Sequence, residues 1–510
     1  MSLSLSNDIA SLNDLVIKLM ARVETLEAEN RQLLVRTQAL ETENQELLVR
    51  TQALETENRQ LLVRTQALET ENQELRARLA ANSRNSHQPP SSEGLRKQAA
   101  LPKKKPKAKG GQKGHKGKTL EMVAEADRTE ACGVEVCSCG QKLKQSALQI
   151  LERRQVFDLP KPKLEVIEYQ RLGCTCPACG ARLSGQFPEG VNAPVQYGAG
   201  VKTLTTLLNV QGCLSYDKIR QLFSDLFGYE VNEATILKGN ERMYQALEKP
   251  EQEIAGMLCQ AQSAHFDESG LRVEGRLHWL HSVSDKGFTY LFVHTRRGKK
   301  ALTSPYSLLP HFRGWAIHDC WSSYFAFDQC RHAICGAHLL RELQALKEQK
   351  RKWAAAFGDY LLSLYDFTHQ GSRALAAGMR TWAARRYDEL LALARVEEPP
   401  PEKKKGQRGR AKGSKGYNLI QRLEKYKTAV LAFAFLPWVP FTNNQAERDL
   451  RPAKVKQKMA GCFRTIQGAR TYARIQGFIS TIRKQGLNVF NELRAALLGD
   501  CILFLPEGAK

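Results

Sequence analysis

Leucine recurs every seven residues at Leu26, Leu33, Leu40, Leu47, Leu54, Leu61, Leu68 and Leu75, inside a unit that repeats every 14 residues between Glu29 and Arg76. This period predicts one long helix with the leucines at the d positions of a coiled coil. The matching a positions are all polar: Asn30, Thr37, Asn44, Thr51, Asn58, Thr65 and Asn72. A polar a residue fixes register at a cost in stability, and Asn there favours parallel dimers, so length must compensate for weak heptads. The competing reading is a solitary charged helix.

The pattern then changes several times. Residues 81–118 turn to Asn, Ser, Pro, Gly and Lys, a composition that buries too little apolar surface to order itself. It reads as a basic linker. From 130 to 185 cysteines come in pairs, and between them Gln155–Leu159 and Leu164–Gln170 alternate as strands, which suits a ribbon-like fold. Residues 198–247 carry apolar positions at helical spacing, with Ser215 and Asn232 placed to cap a second and a third helix. That spacing fits a helix-turn-helix but is also common in bundles that never meet DNA.

Further on, Ala264–Gly270, Leu277–Val283 and Phe288–His294 alternate as three strands, with Ser284–Gly287 as a turn. Gly314–Cys320 is a fourth, apolar strand that runs into Asp319. Acids at the ends of such strands are what an RNase H-like sheet requires, and a further carboxylate should come from a late helix. Thr442 and Gln445 are spaced as a capping box, which puts Glu447 in the first turns of that helix.

Charge sharpens this picture. At 510 residues the chain has room for three or four folded units. Lys and Arg number 76 against 53 Asp and Glu, a net charge of +23, and the excess lies in three windows: 95–118, 403–415 and 448–484. Concentrated positive charge implies a polyanion, nucleic acid first. No run reaches the length of a membrane span and the N-terminus lacks a signal peptide's pattern, so a cytoplasmic protein is expected. Six of the 13 cysteines fall within 132–179, which reads as metal binding in a reducing compartment. Cys176-Pro-Ala-Cys179-Gly is a normal zinc knuckle, while Cys137-Ser-Cys139-Gly is one residue short.

Asp267, Asp319 and Glu447 each have an ordinary reading: a turn acid, a cap on the next helix, a surface partner for Arg451. Together they suit phosphodiester chemistry, in which two Mg2+ ions about 3.5–4 Å apart serve the attacking and leaving oxygens and need several converging carboxylates. Glu268 competes with its neighbour for the first place, but strand alternation sends the two to opposite faces, and Asp267 is preferred.

At these residues the sequence resembles bacterial DDE transposases of the insertion sequence 66 family. The resemblance spans roughly 85–505. It is carried by Gly110–Gly117, the paired cysteine knuckles, Asp267-Glu-Ser, His318–Tyr324, Cys335–Leu343 and Thr442–Arg451. It implies Asp267, Asp319 and Glu447 as the metal-binding catalytic triad, with Mg2+ as cofactor and Mn2+ able to substitute. It also implies a mostly helical insertion between Asp319 and Glu447. The function expected is binding of the element's terminal inverted repeats, strand cleavage, and joining of 3′-OH ends to target DNA. The alternative is a catalytically silent end-binding repressor derived from such an enzyme.

The expected architecture is multidomain α+β. A leucine-zipper-like coiled coil fills 1–80, a basic linker 81–125 and a zinc-finger-like DNA-binding domain 126–190, with a structural Zn2+ on Cys137, Cys139, Cys176 and Cys179. A helix-turn-helix-like segment follows at 191–255. An RNase H-like α/β core occupies 256–484 with a helical insertion at 340–440, and a helical segment closes the chain at 485–510. DNA contacts are expected from Lys103, Lys104, Lys105, Lys107, Lys109 and Lys113 in the linker, and from Arg448, Arg451, Lys454, Lys456 and Lys458 after the last acid. The expected partners are a second copy through the coiled coil and helper proteins encoded by the same element, at the bacterial nucleoid.

Each phosphate neutralised steepens the log–log salt dependence of DNA binding by about 0.9. Deleting 95–118 should therefore flatten that dependence for duplex DNA. An unchanged slope would remove this window from the phosphate contacts.

Overall fold

The computed structural model describes residues 2–79, 120–144, 149–371, 375–403, 408 and 411–500. The linker lysines Lys103 to Lys113 lie outside the described residues, as does part of the basic loop 403–415. The chain divides into two compact units, Met1–Ser86 and His87–Lys510.

The first unit is a single helix, α1 (Ser2–Leu79). At 1.5 Å per residue it runs for roughly 115 Å. Its threonines satisfy their hydroxyls internally: Thr25, Thr37 and Thr51 each donate to the carbonyl four residues back, at 2.7–2.9 Å. The heptad leucines are about half exposed on the lone helix.

The second unit opens with a two-stranded ribbon, β1 (Gly173–Thr175) paired antiparallel with β2 (Arg182–Ser184). Here the structure corrects the sequence reading. Gln155–Leu159 and Leu164–Gln170 join no ladder, and Val156, Leu159 and Val166 are more than four-fifths exposed. Alternation makes a strand only where a neighbouring strand and a covered face are present.

Four helices follow: α2 (Ala199–Val210), α3 (Tyr216–Phe227), α4 (Glu233–Ala246) and α5 (Glu248–Gln260). Ser215 caps α3 by accepting from Lys218 N–H, and Asn232 caps α4 by accepting from Ala234 N–H, as the spacing predicts. Ile219, Phe223, Val231 and Ile236 close a small core among α2, α3 and α4.

The central element is a five-stranded mixed sheet: β3 (Ser263–Val273), β4 (Arg276–Ser284), β5 (Thr289–His294), a short α6 (Lys299–Leu302), β6 (Trp315–His318) and β7 (Arg331–Ile334). The spatial order is β5-β4-β3-β6-β7. The first three strands are antiparallel neighbours, and β6 and β7 continue in parallel. The sequence reading found the first four strands. β7, as short as β6, is not among the strands expected from the sequence.

After the sheet come α7 (Gly336–Glu348), α8 (Lys352–Gly371), α9 (Ala377–Glu397), α10 (Lys415–Lys425), α11 (Lys427–Phe435), α12 (Asn444–Ala460), α13 (Ile466–Lys484) and α14 (Val489–Leu498). Both faces of the sheet are covered, and β6 shows why. Ala316 belongs to a core shared with α5, α12, α13 and α14, and the next residue, Ile317, to a core shared with the helices α7 to α11. Alternation thus divides one strand between two cores. No described helix is long and apolar enough to cross a membrane.

One buried ion pair ties the last helices to the sheet. Lys484 donates to Asp449 at 2.9 Å, to Thr289 Oγ1 at 2.6 Å and to the carbonyls of Asp285 and Phe288. Ser480 and Gln445 also donate to Asp449. Removing one partner of such a pair leaves a buried charge unmatched, at a cost of about 3–5 kcal/mol. Lys484→Met should lower the unfolding free energy in urea by that amount. A loss under about 1 kcal/mol, the range of an exposed pair, would contradict this reading.

Candidate functional site

Three separate stretches of chain meet at the sheet. Asp267 lies midway along β3, Asp319 directly follows β6, and Glu447 sits in the first turn of α12. The side chain that docks α12 on the sheet is Asn443, which is almost fully buried. Its amide donates to the Phe266 carbonyl at 2.8 Å, its Oδ1 accepts from His265 Nδ1 at 2.8 Å, and its backbone N–H donates to Cys335 Sγ at 3.1 Å. Burial pushes the His265 imidazolium down to about 4, so the ring is neutral and its Nδ1–H is the donor.

The expected capping box is absent. Asn443 is the residue before the helix, and its side chain makes no cap bond because it is committed to β3. Cys335 serves as a buried acceptor for this anchor. Gly336 allows the close approach: a Cβ there would fall 2.2 Å from the Phe441 ring. Glu447 is held between two fixed points, Asn443 on one side and the Asp449–Lys484 pair on the other.

The acids share one electrostatic field. Burial, then Glu268 and Asp319, and more weakly Glu447, push the Asp267 carboxyl well above the usual carboxylate range, against the pull of the Glu268 N–H that donates to its Oδ1 at 2.9 Å. Glu268 is raised by burial and by Asp319, while Arg297 and Tyr324 lower it. The Glu268 side chain is 1% exposed. Arg297 Nε donates to its Oε1 at 2.6 Å and the Tyr324 hydroxyl to its Oε2 at 2.5 Å. Arg297 Nη2 lies 3.8 Å from Asp319 Oδ2, while Asp319 Oδ1 accepts from Trp321 N–H at 3.1 Å. The guanidinium stands 4.3 Å from the Trp321 ring centroid and 5.2 Å from that of Trp279.

A set of oxygen donors whose charges oppose one another, beside one guanidinium, fits a hard divalent cation. Among the described residues no three His, Cys, Asp or Glu side chains are drawn into a ready ligand shell. The acids stand as neighbours in one field.

The cations after Glu447 divide. Arg448, Arg451 and Lys458 are exposed and Lys454 is half-buried. Lys456 is the exception and corrects the sequence reading. It is buried, donates to the Asn209 carbonyl at 2.8 Å and lies 5.7 Å from the Tyr472 ring centroid, so it joins α12 to the end of α2. Arg297 was missed by the sequence reading. Its only signal there is the run Arg296-Arg297-Gly298-Lys299-Lys300 after a strand.

The cysteine pairs form two similar turns. In the second, Cys176 N–H donates to the Ala181 carbonyl and Gly180 N–H to the Cys176 carbonyl. In the shorter first, Cys137 N–H donates to the Gln141 carbonyl and Gly140 N–H to the Cys137 carbonyl. Gly140 and Gly180 both have positive φ, so the missing residue does not abolish the turn. Hydrogen bonding with Cys139 lowers the Cys137 thiol, and hydrogen bonding with Cys179 and Ala178 lowers that of Cys176. Lowered thiols suit thiolate–metal bonding.

The comparisons with known proteins agree with this layout. Residues 135–180, which hold both knuckles, match the zinc-finger binding domain of transposase IS66. Residues 195–471, just over half of the chain, match the model described as transposase IS66 family. Together the two matches define a DNA-binding transposase with a zinc-finger domain. Residues 17–121 match a family of unknown function (DUF6444). The chain belongs to the IS66 transposase family. No curated protein matches it.

Crowding of the acids sets a pH dependence. A carboxyl whose folded pKa is raised contributes stability at low pH and loses it as pH rises through that folded value. Asp267→Asn removes the penalty, so in EDTA at pH 7 the variant should melt above the unmodified protein. The gap should close as pH falls toward about 4, where the unfolded carboxyl also protonates. An equal or lower melting temperature at pH 7 would contradict the crowding.

Proposed function

We propose that the chain cuts and joins DNA at the ends of its own insertion sequence, with Asp267, Asp319 and Glu447 as the catalytic, metal-holding acids. The observation that carries this reading is that Asp319 and Glu447, 52 and 180 residues further along the chain, both raise the cost of ionising the buried Asp267. The strand order supports an RNase H-like core, with the helices between residues 340 and 440 as its helical insertion. A catalytically silent repressor would have no use for this crowding, because unneutralised acids repel the phosphates it must hold.

Mg2+ held by these three residues, with Mn2+ as a substitute, would supply activation of the attacking oxygen and charge stabilisation at the leaving one. The chain's own part is positioning. Asn443 and Asp449 fix Glu447, Trp321 N–H orients Asp319, and Glu268 N–H orients Asp267. Arg448, Arg451, Lys454 and Lys458 are placed to follow the DNA backbone beyond Glu447. In the first reaction water adds to the scissile phosphorus and the 3′ oxygen departs as a hydroxyl. In the second that hydroxyl attacks a target phosphodiester, so one P–O bond forms as another breaks.

The remaining parts serve assembly and recognition. Cys137, Cys139, Cys176 and Cys179 would hold a structural Zn2+. The zinc-finger domain and α2 to α4 read the terminal inverted repeats, while the basic linker lies along phosphates. Two copies associate through the d leucines of α1, which a lone helix leaves half exposed. The protein acts at the nucleoid, with helper proteins of the same element.

Asp267→Asn should bind terminal-repeat DNA as the unmodified protein does. With Mg2+ its strand transfer should fall by at least about a thousandfold, the scale of losing several kcal/mol of charge stabilisation. Retained strand transfer would refute the assignment.

A further inference from the structure

A second cationic segment lies against the acids, far in sequence from those after Glu447. Arg296, in the connection after β5, and Lys299 and Lys300, the first residues of α6, flank Arg297 and Gly298. All three are exposed, and among the described residues none of them forms a salt bridge. A bare run of charge is usually a solvated surface. This run differs because it is fastened to the site. Arg297 is pinned to Glu268 at 2.6 Å, reaches Asp319 at 3.8 Å and packs over Trp321. Gly298 presses against the same loop: a Cβ there would meet the Trp321 ring at 3.7 Å and Ser323 Oγ at 3.9 Å.

Resting on the catalytic reading above, we infer that residues 296–300 form a phosphate clamp for the DNA strand that enters the acid site. The ligand class is the sugar–phosphate backbone next to the scissile bond. Three cations held within a few residues of Arg297 offset the repulsion that Asp267, Glu268 and Asp319 impose on an approaching polyanion. Arg297 itself is a positioning residue: it spends its hydrogen bond on Glu268 and fixes where its three neighbours stand. The flanking Trp279 and Trp321, both only half-buried, give the clamp a rigid apolar floor.

The test uses the full chain and a duplex carrying the element's own terminal repeat, with Ca2+ in place of Mg2+ to hold back cleavage. In the triple variant Arg296→Gln/Lys299→Gln/Lys300→Gln the log–log salt slope of binding should fall by about 2.7, three contacts at about 0.9 each. A photo-crosslinking amino acid at position 299 should attach to nucleotides beside the cleavage site. An unchanged slope, or crosslinks only at remote nucleotides, would overturn the clamp. Those failures are separable from failure of the catalytic reading, because they leave untouched the loss of strand transfer in Asp267→Asn. If that variant stays active while the triple variant loses its slope, the clamp stands as a DNA-binding surface and the acid assignment falls.

Discussion

Like charges resist being brought together, and they resist more when water is taken away. The sheet of this transposase works against that resistance. Asp267 lies on β3 and Asp319 at the end of the neighbouring β6, and Glu268 and, more weakly, Glu447 on α12 add their charges to the same field. Cohesion comes from two apolar cores on the faces of the sheet and from polar anchors around the acids. Asn443 is the chief of these. By giving up its role as a helix cap it fastens α12 to β3, and so sets how close Glu447 stands to Asp267.

The same constraint accounts for the helices around the sheet. α13 meets α12 through Lys484 and Asp449, and α7 begins where Cys335 receives the Asn443 N–H. Helices α8 to α11 build the core against β6 and β7, beside the end of the strand that Asp319 follows. Arg422 on α10 forks onto Glu342 of α7, a tie between two of the helices that cover the sheet. Each tie limits how far the acids can spread when their charges push apart.

Much of this was legible in the chain. Strands of the sheet announced themselves by alternation because each has one or two buried faces. The caps at Ser215 and Asn232 were readable because capping is local. What escaped depended on distant partners. Arg297 matters through Glu268, 29 residues away, and Asn443 through Phe266, 177 residues away. Lys456 looked like one more cation on a basic helix, yet the carbonyl of Asn209 turns it inward. In the cysteine region alternation misled, because Gln155–Leu159 and Leu164–Gln170 have no sheet to join.

The most direct test is to locate Mn2+ by its anomalous scattering in crystals of the chain bound to its terminal-repeat DNA. The account predicts manganese density enclosed by Asp267, Asp319 and Glu447, next to the phosphate that is cut. Manganese bound elsewhere, with these three side chains apart while the DNA end is seated, would contradict it.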